Sequence, residues 1–216
     1  MQATLSEGIY SAKDVARILK LPYASVRYWM KEFWDKRFAT KGETYSFGEK
    51  GHRAINFLTL IEFYTFYQLR NNGVSVQKIY KARKEISKLY GTKFPFALPS
   101  IASHGRHVWY EYLDTIFRAD GKHQGALKEI IKPFLEKIEF EAGGAKRFFP
   151  LGKGHYVIVD PKIQFGQPTI SGTRIPIETI YQLRNGGEKP ESISRLYRIP
   201  LEAVNDVEEF YSKAAA

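Results

Sequence analysis

Residues 10–33 read YSAKDVARILKLPYASVRYWMKEF, and this stretch decides how the front of the molecule folds. Ser11 stands just before apolar positions at Val15, Ile18 and Leu19, and Asp14 follows it by three residues. The hydroxyl can accept from the Asp14 amide while the carboxylate reaches back, a capping box that opens a first helix. Leu21 and Pro22 then interrupt the pattern. Val26, Trp29 and Met30 or Phe33 resume it at helical spacing, so a second helix follows a tight turn. That is the geometry of a helix-turn-helix that reads DNA. Tyr23, Ala24, Ser25, Arg27, Tyr28 and Lys31 are left off the core. Arg27 and Lys31, four apart, share a face suited to bases and phosphates. The same face also fits a helical hairpin with an ordinary solvated basic side.

Working outward, residues 41–57, KGETYSFGEKGHRAINF, contain two short β-prone runs, 44–47 and 52–55, around Gly48-Glu49-Lys50-Gly51. This is a hairpin pattern. A basic hairpin after a helix-turn-helix is a wing, which sets Lys50, His52 and Arg53 against a phosphate backbone or minor groove. Asn56 caps an apolar helix over 57–71, and Gly73 ends it in a left-handed conformation. Ser75 caps the next helix, with Val76, Ile79, Ile86 and Leu89 as its expected buried stripe. From residue 9 to about 90 the chain resembles the winged-helix DNA-binding domain of MerR-type regulators. VRYW matches the Arg-aromatic-aromatic signature of their recognition helix, GHRAI the wing-closing Gly-x-Arg, and LRNNGVSVQKI the link between the following helices. Lys20 stands where that family has a turn glycine, and Met30 where it has a glutamate. No long dimerising coiled coil with effector ligands follows. The resemblance thus implies DNA binding and not metal or drug sensing.

Charge supports a polyanionic partner at the front. Residues 1–91 hold 16 Lys and Arg against 8 Asp and Glu, 92–156 hold 10 against 7, and 157–216 hold 7 against 8. Clustered cations displace counterions from phosphate, although a merely soluble basic surface has the same composition. The chain has no cysteine and its five histidines lack metal-ligand spacing, so no disulfide, thiolate site or metal is expected. No apolar run approaches the ~18 residues of a membrane span, and the N-terminus lacks a secretion pattern, so a cytoplasmic protein is expected. No Ser-His-Asp grouping, phosphate loop or Mg²⁺-binding acid cluster is evident. Nothing here points to an enzyme or a cofactor.

TKFPFALPS, residues 92–100, closes the front unit, because Pro95 and Pro99 exclude a continuing helix. Residues 92–156 read as a small α/β connector and assembly segment. It has β-rich runs at 107–112 and 115–118, an amphipathic helix carrying Leu127, Ile130 and Ile131, and a strand at 138–142 whose Glu139 and Glu141 suit a solvated edge. The back module, 157–216, begins with a strand at 157–159 and passes through turns at Gly166, Pro168, Gly172 and Pro176. Three helices follow, at 177–185, 190–197 and 201–211, facing inward through Ile177, Ile180, Tyr181 and Leu183, through Ile193 and Leu196, and through Val204, Val207 and Phe210.

The pattern Asp-Pro-x-Ile-x-x-Gly-x-Pro-x-Ile-x-Gly-Thr-Arg-Ile-Pro, from Asp160, resembles the small domain of formerly unknown function found in antitoxins encoded beside PIN-like ribonuclease toxins. A MerR-like front joined to this back is similar in layout to one group of VapB-type antitoxins. The fold class expected is therefore α+β, mainly α, in three parts: 1–91, 92–156 and 157–216. The resemblance implies a non-enzymatic antitoxin that binds operator DNA through the front, and a PIN-like toxin through a back surface near Thr173 and Arg174. Arg174 equally suits an internal pair with Asp160 or Glu178. A homodimer is expected, since one small reading helix needs two half-sites; the helix at 57–69 and the middle strands are candidate interfaces, and a large core explains their apolar surface equally well. The rival is a ligand-responsive regulator with no toxin partner.

One string recurs: YQLRNNG at 67–73 returns as YQLRNGG at 181–187. It reads as two helix-glycine-helix junctions. It also leaves open a second DNA reader at the back, against which stand the −1 charge and the acids Glu202, Asp206, Glu208 and Glu209 of the last helix.

Overall fold

The computed structural model describes residues 7–39, 44–49, 52–98, 133–141 and 144–212. Lys50 and the elements read at 107–118 and around 127–131 lie outside them. The fold is α+β and mainly helical. It opens with β1 (Tyr10–Ser11) and α1 (Ala12–Leu19), where the Asp14 amide donates to Ser11 Oγ at 3.2 Å and the Ser11 amide to Asp14 Oδ2 at 3.0 Å. After the turn, α2 (Tyr23–Tyr28) runs on without a break as a wide π-helical segment, Trp29–Phe38, well past Phe33. The bond from the Ala39 amide to the Trp34 carbonyl, 3.1 Å, keeps its five-residue spacing. The cause is side-chain placement. Trp29, Phe33, Trp34 and Phe38 fall at intervals of 4, 1 and 4, which a turn of more than four residues stacks on one side better than a 3.6-residue turn. Trp34 then meets Phe63 at 4.0 Å and Phe66 at 5.2 Å between ring centres.

The hairpin strands β2 (Ser46–Phe47) and β3 (Ala54–Ile55) join β1 in a small antiparallel sheet of order β1-β3-β2. Helix α3 (Phe57–Asn71) starts at Asn56, whose Oδ1 accepts from the Thr59 amide at 2.9 Å. It is buried nearly all round: Phe57, Leu60, Ile61, Phe63, Tyr64, Phe66 and Leu69 all lie in the core. This removes α3 as a subunit interface, because its apolar surface is already filled by its own chain.

Helix α4 (Val76–Tyr90) packs on α3 through Ile79, Ala82, Arg83 and Ile86, and Arg83 Nε meets the fully buried Glu62 at 2.7 Å. Burial pushes the Glu62 carboxyl up, and Arg83 with the Phe96 and Ala97 amides offsets that only in part. Leu89, expected in the stripe, is 67% exposed. The buried face follows 79, 82, 83 and 86, a path that passes Leu89 by.

The antiparallel hairpin β4 (Ile138–Glu141) and β5 (Gly144–Phe148) lies against α3, with Phe148 4.7 Å from Tyr64. A bulge between Glu139 and Phe140 shifts the register, and both Glu139 and Glu141 pair with Lys146. The front core thus crosses residue 91 and reaches Val159, which bridges to Phe148.

The back has its own smaller core. Strands β6 (Val157–Ile158) and β7 (Thr169–Ile170) pair antiparallel under α5 (Ile177–Asn185), α6 (Pro190–Tyr197) and α7 (Leu201–Ser212). Leu196, expected inside, is 71% exposed. On so short a helix Ile193 and Tyr197, four apart, supply the inward face, and Leu196 falls beside it.

The repeated string folds the same way twice. Gly73 (φ 84°) and Gly187 (φ 90°) take the left-handed conformation, and the next amide, Val74 or Glu188, bonds back to Leu69 or Leu183. Arg70 Nη1 then donates to the Val74 carbonyl and Arg184 Nη1 to that of Glu188. A second echo has less shared sequence. Helix α1 ends at Lys20 (φ 56°) and helix α6 at Arg198 (φ 53°), both left-handed. The Leu21 amide bonds to Ala16 at 2.9 Å and the Ile199 amide to Ser194 at 3.1 Å. A proline follows each, and Val26 and Val204 are buried four residues later. Both ends of the molecule carry a helix-turn-helix.

Candidate nucleic-acid interface and back turn

On α2 and the π-helical turn after it the residues left off the core lie where expected. Tyr23 and Tyr28 are 43% and 53% exposed, Arg27 and Lys31 are exposed, and Ser25 is half-buried. Arg27 sits 5.7 Å from the centre of the Tyr23 ring, a contact that can hold the guanidinium over the helix start. Lys31 lies 3.3 Å from Glu32, which Lys36 also holds at 2.8 Å. Those ammonium groups keep the Glu32 carboxyl below its ordinary range, chiefly through the Lys36 hydrogen bond. A surface pair of this kind is weak, so phosphate can compete for Lys31.

In the hairpin His52 is exposed, whereas Arg53 is already engaged: its Nη1 lies 2.6 Å from Asp35 Oδ2. Asp35 also accepts from the Tyr45 and Ser46 amides at 2.9 and 3.0 Å, so it pins the hairpin to the π-helical segment. Arg53 ties the hairpin to Asp35 while its side chain stays 45% exposed.

At the back turn, the Thr173 hydroxyl donates to the Ile170 carbonyl at 2.8 Å and accepts from the Ile175 amide at 3.1 Å, which closes the loop. Arg174 is exposed, and among the described residues its guanidinium has no partner. The two expected internal partners are taken: Asp160 by Arg147 Nε at 2.8 Å, and Glu178 by Arg17 Nη1 at 2.9 Å and by the Tyr211 hydroxyl.

That last contact belongs to a joint between the two ends. Arg17 on α1 also reaches Asp14 at 3.2 Å and Gln167 at 3.3 Å. Lys20 bonds to the Phe210 carbonyl and lies 4.0 Å over the Phe210 ring. Tyr211 stacks on Tyr181 at 3.8 Å, and burial, helped by Glu178, pushes its phenol above the ordinary range. Arg17 and Glu178 are 161 residues apart, and neither stands in a motif. A second set, His155, Asp206 and Glu209, brings donor atoms within 4.8 Å of one another. Asp206 is committed there, bonding His155 Nδ1 at 2.8 Å and the Tyr156 amide at 2.6 Å, so it ties residues 155–156 to α7.

Residues 157–211 match the family described as "Protein of unknown function (DUF433)". The X-ray crystal structure of Rv2018 from Mycobacterium tuberculosis is similar to the chain in fold, with a TM-score of 0.70 at 18% sequence identity, over 96% of this chain and 99% of that one. No curated protein matches the chain. Among the described residues no helix is long and apolar enough to cross a membrane.

Proposed function

We propose that the chain is the antitoxin of a toxin-antitoxin pair, with a MerR-like winged front that binds operator DNA and a VapB-type back that holds a PIN-like ribonuclease. It acts by contact, not as an enzyme, in the cytoplasm and as a homodimer on a two-fold operator. The observation that carries this reading is the exposed row of Tyr23, Arg27 and Tyr28 on α2 with Lys31 in the π-helical turn after it, beside a hairpin held by Asp35. Aromatic and basic side chains at the start of a second helix meet base edges and phosphates, while Arg53 and His52 approach the backbone beside them. The last helix of the back unit has no lysine or arginine, exposes Glu202 and buries Asp206 against residues 155–156, which favours a protein partner over a second duplex.

The test is binding of the full chain to DNA upstream of its own gene, followed at rising salt, together with copurification with the product of the adjacent gene. Specific binding that weakens steeply with salt, and a stable complex with a PIN-like neighbour, are expected. DNA binding alone, beside an efflux or biosynthetic gene, would favour the ligand-responsive regulator. One observation favours that rival: an open cavity of about 300 Å³ lined by Phe57, Leu58, Phe94, Lys146 and Lys162.

A further inference from the structure

The back module carries a strained and exposed aromatic residue that the fold does not use. Residues Gln164, Phe165 and Gly166 have φ of 48°, 55° and 88°, three left-handed residues in a row, two of which are not glycine. Side chains with a Cβ adopt this conformation at a cost. Gly166 is required there, because a Cβ on it would lie 2.2 Å from the Tyr10 hydroxyl. Phe165 is different. Its ring is 56% exposed and makes no ring contact among the described residues.

The turn is nonetheless firmly held. The Ile9 amide donates to the Phe165 carbonyl at 2.9 Å, and the Gly166 amide to that of Ile163 at 2.9 Å. Gln164 Nε2 donates to the Arg174 carbonyl at 2.9 Å, which places the segment bearing Phe165 next to the segment bearing Arg174. Two exposed groups, an aromatic ring and a guanidinium without a partner among the described residues, thus stand on adjacent rigid turns.

We propose that Phe165 and Arg174 form the docking surface for the protein partner, with Phe165 as the apolar anchor and Arg174 as the group that reads carboxylates. The partner surface this fits is acidic, with carboxylates beside an apolar recess that takes the ring. Aromatic residues and arginine are both enriched at protein interfaces relative to the rest of the surface. A guanidinium offers paired N–H groups that match a carboxylate. The strain gives the reason for keeping Phe165: asparagine or glycine would suit the left-handed backbone better, so the ring is retained for something other than the fold. This inference rests on the antitoxin reading, in which the acidic partner is the ribonuclease.

The test uses the full chain and the purified product of the adjacent gene, titrated calorimetrically, with Phe165→Asn, Phe165→Gly and Arg174→Gln. Each variant is expected to weaken binding at least tenfold, while the Phe165 variants melt at the same temperature as the wild type or higher. Wild-type binding with all three variants within twofold of it would overturn the surface and leave the antitoxin reading standing. No binding by the wild type would overturn both. Unchanged partner affinity with lost self-association in light scattering would assign the surface to a second copy of the chain, and the proposal would fall.

Discussion

The helix-turn-helix units at the two ends share a backbone and differ in what they show to solvent. Lys20-Leu21-Pro22 and Arg198-Ile199-Pro200 make the same left-handed stop, the same return hydrogen bond and the same restart. Beyond the turn, α2 and the π-helical turn after it expose Tyr23, Arg27, Tyr28 and Lys31, whereas α7 exposes Leu201, Glu202 and Asn205. The turn fixes an angle between two helices, and the side chains after it decide which surface that angle presents. Two such units in one chain can therefore have unrelated partners.

The largest expected effect tests whether the turns are mechanically equivalent. Leu21 and Ile199 are both buried just after the left-handed residue. Leu21→Ala and Ile199→Ala should each cost about 2–5 kcal/mol in urea unfolding. A loss at one site several times that at the other would break the equivalence. Next comes the difference in surface. Arg27→Ala should weaken binding to the operator by about 1–3 kcal/mol and relax its sequence preference. Arg198→Ala, an exposed cation at the other turn, should leave operator affinity unchanged in fluorescence anisotropy. If both substitutions weaken it, the back unit also meets DNA.

A smaller effect separates the two stops themselves. Arg198→Gly removes a Cβ from a left-handed residue and should raise stability by up to about 1 kcal/mol. Lys20→Gly relieves the same strain but loses the contacts with Phe210, so it should gain less in the same thermal melt. The smallest effect concerns the joint. Arg17→Ala removes a half-exposed ion pair with Glu178 and should cost about 0.2–1 kcal/mol. A larger loss would mean that the two ends melt as one unit through that contact.

These tests separate what was legible in the sequence from what was not. The caps at Ser11, Asn56 and Ser75 and the starts and ends of the three back helices follow from chemistry within four residues, and the sequence carries that chemistry directly. The string YQLRN-x-Gly predicted its own helix end at both places. The π-helical segment was hidden because a search at helical spacing registers residues three and four apart and passes over the five-residue intervals from Trp29 to Trp34 and from Phe33 to Phe38. Leu89 and Leu196 were misplaced for a related reason: near a helix end, apolar character says less about direction than the position of the neighbouring helix.

Within the candidate site, Arg27, Tyr28 and His52 stood out as side chains with no core to serve, and they are exposed. Arg53 looked the same, yet Asp35 engages it across a turn that no local pattern records. The joint at Arg17 and Glu178, and the exposure of Phe165, depend on segments brought together only by folding.

Helix α3 has a consequence for how the molecule opens. With almost every side of this helix packed against its own chain, its backbone amides meet water only when the front core comes apart. Their protons should exchange with deuterium at the rate of that global event, while those of α6, with Arg195 and Leu196 in solvent, are free to exchange through local fraying. Helix α3 therefore keeps a long memory of its labelling history and α6 a short one. A partner that binds at the back and slows exchange in α3 would have to act on the whole core.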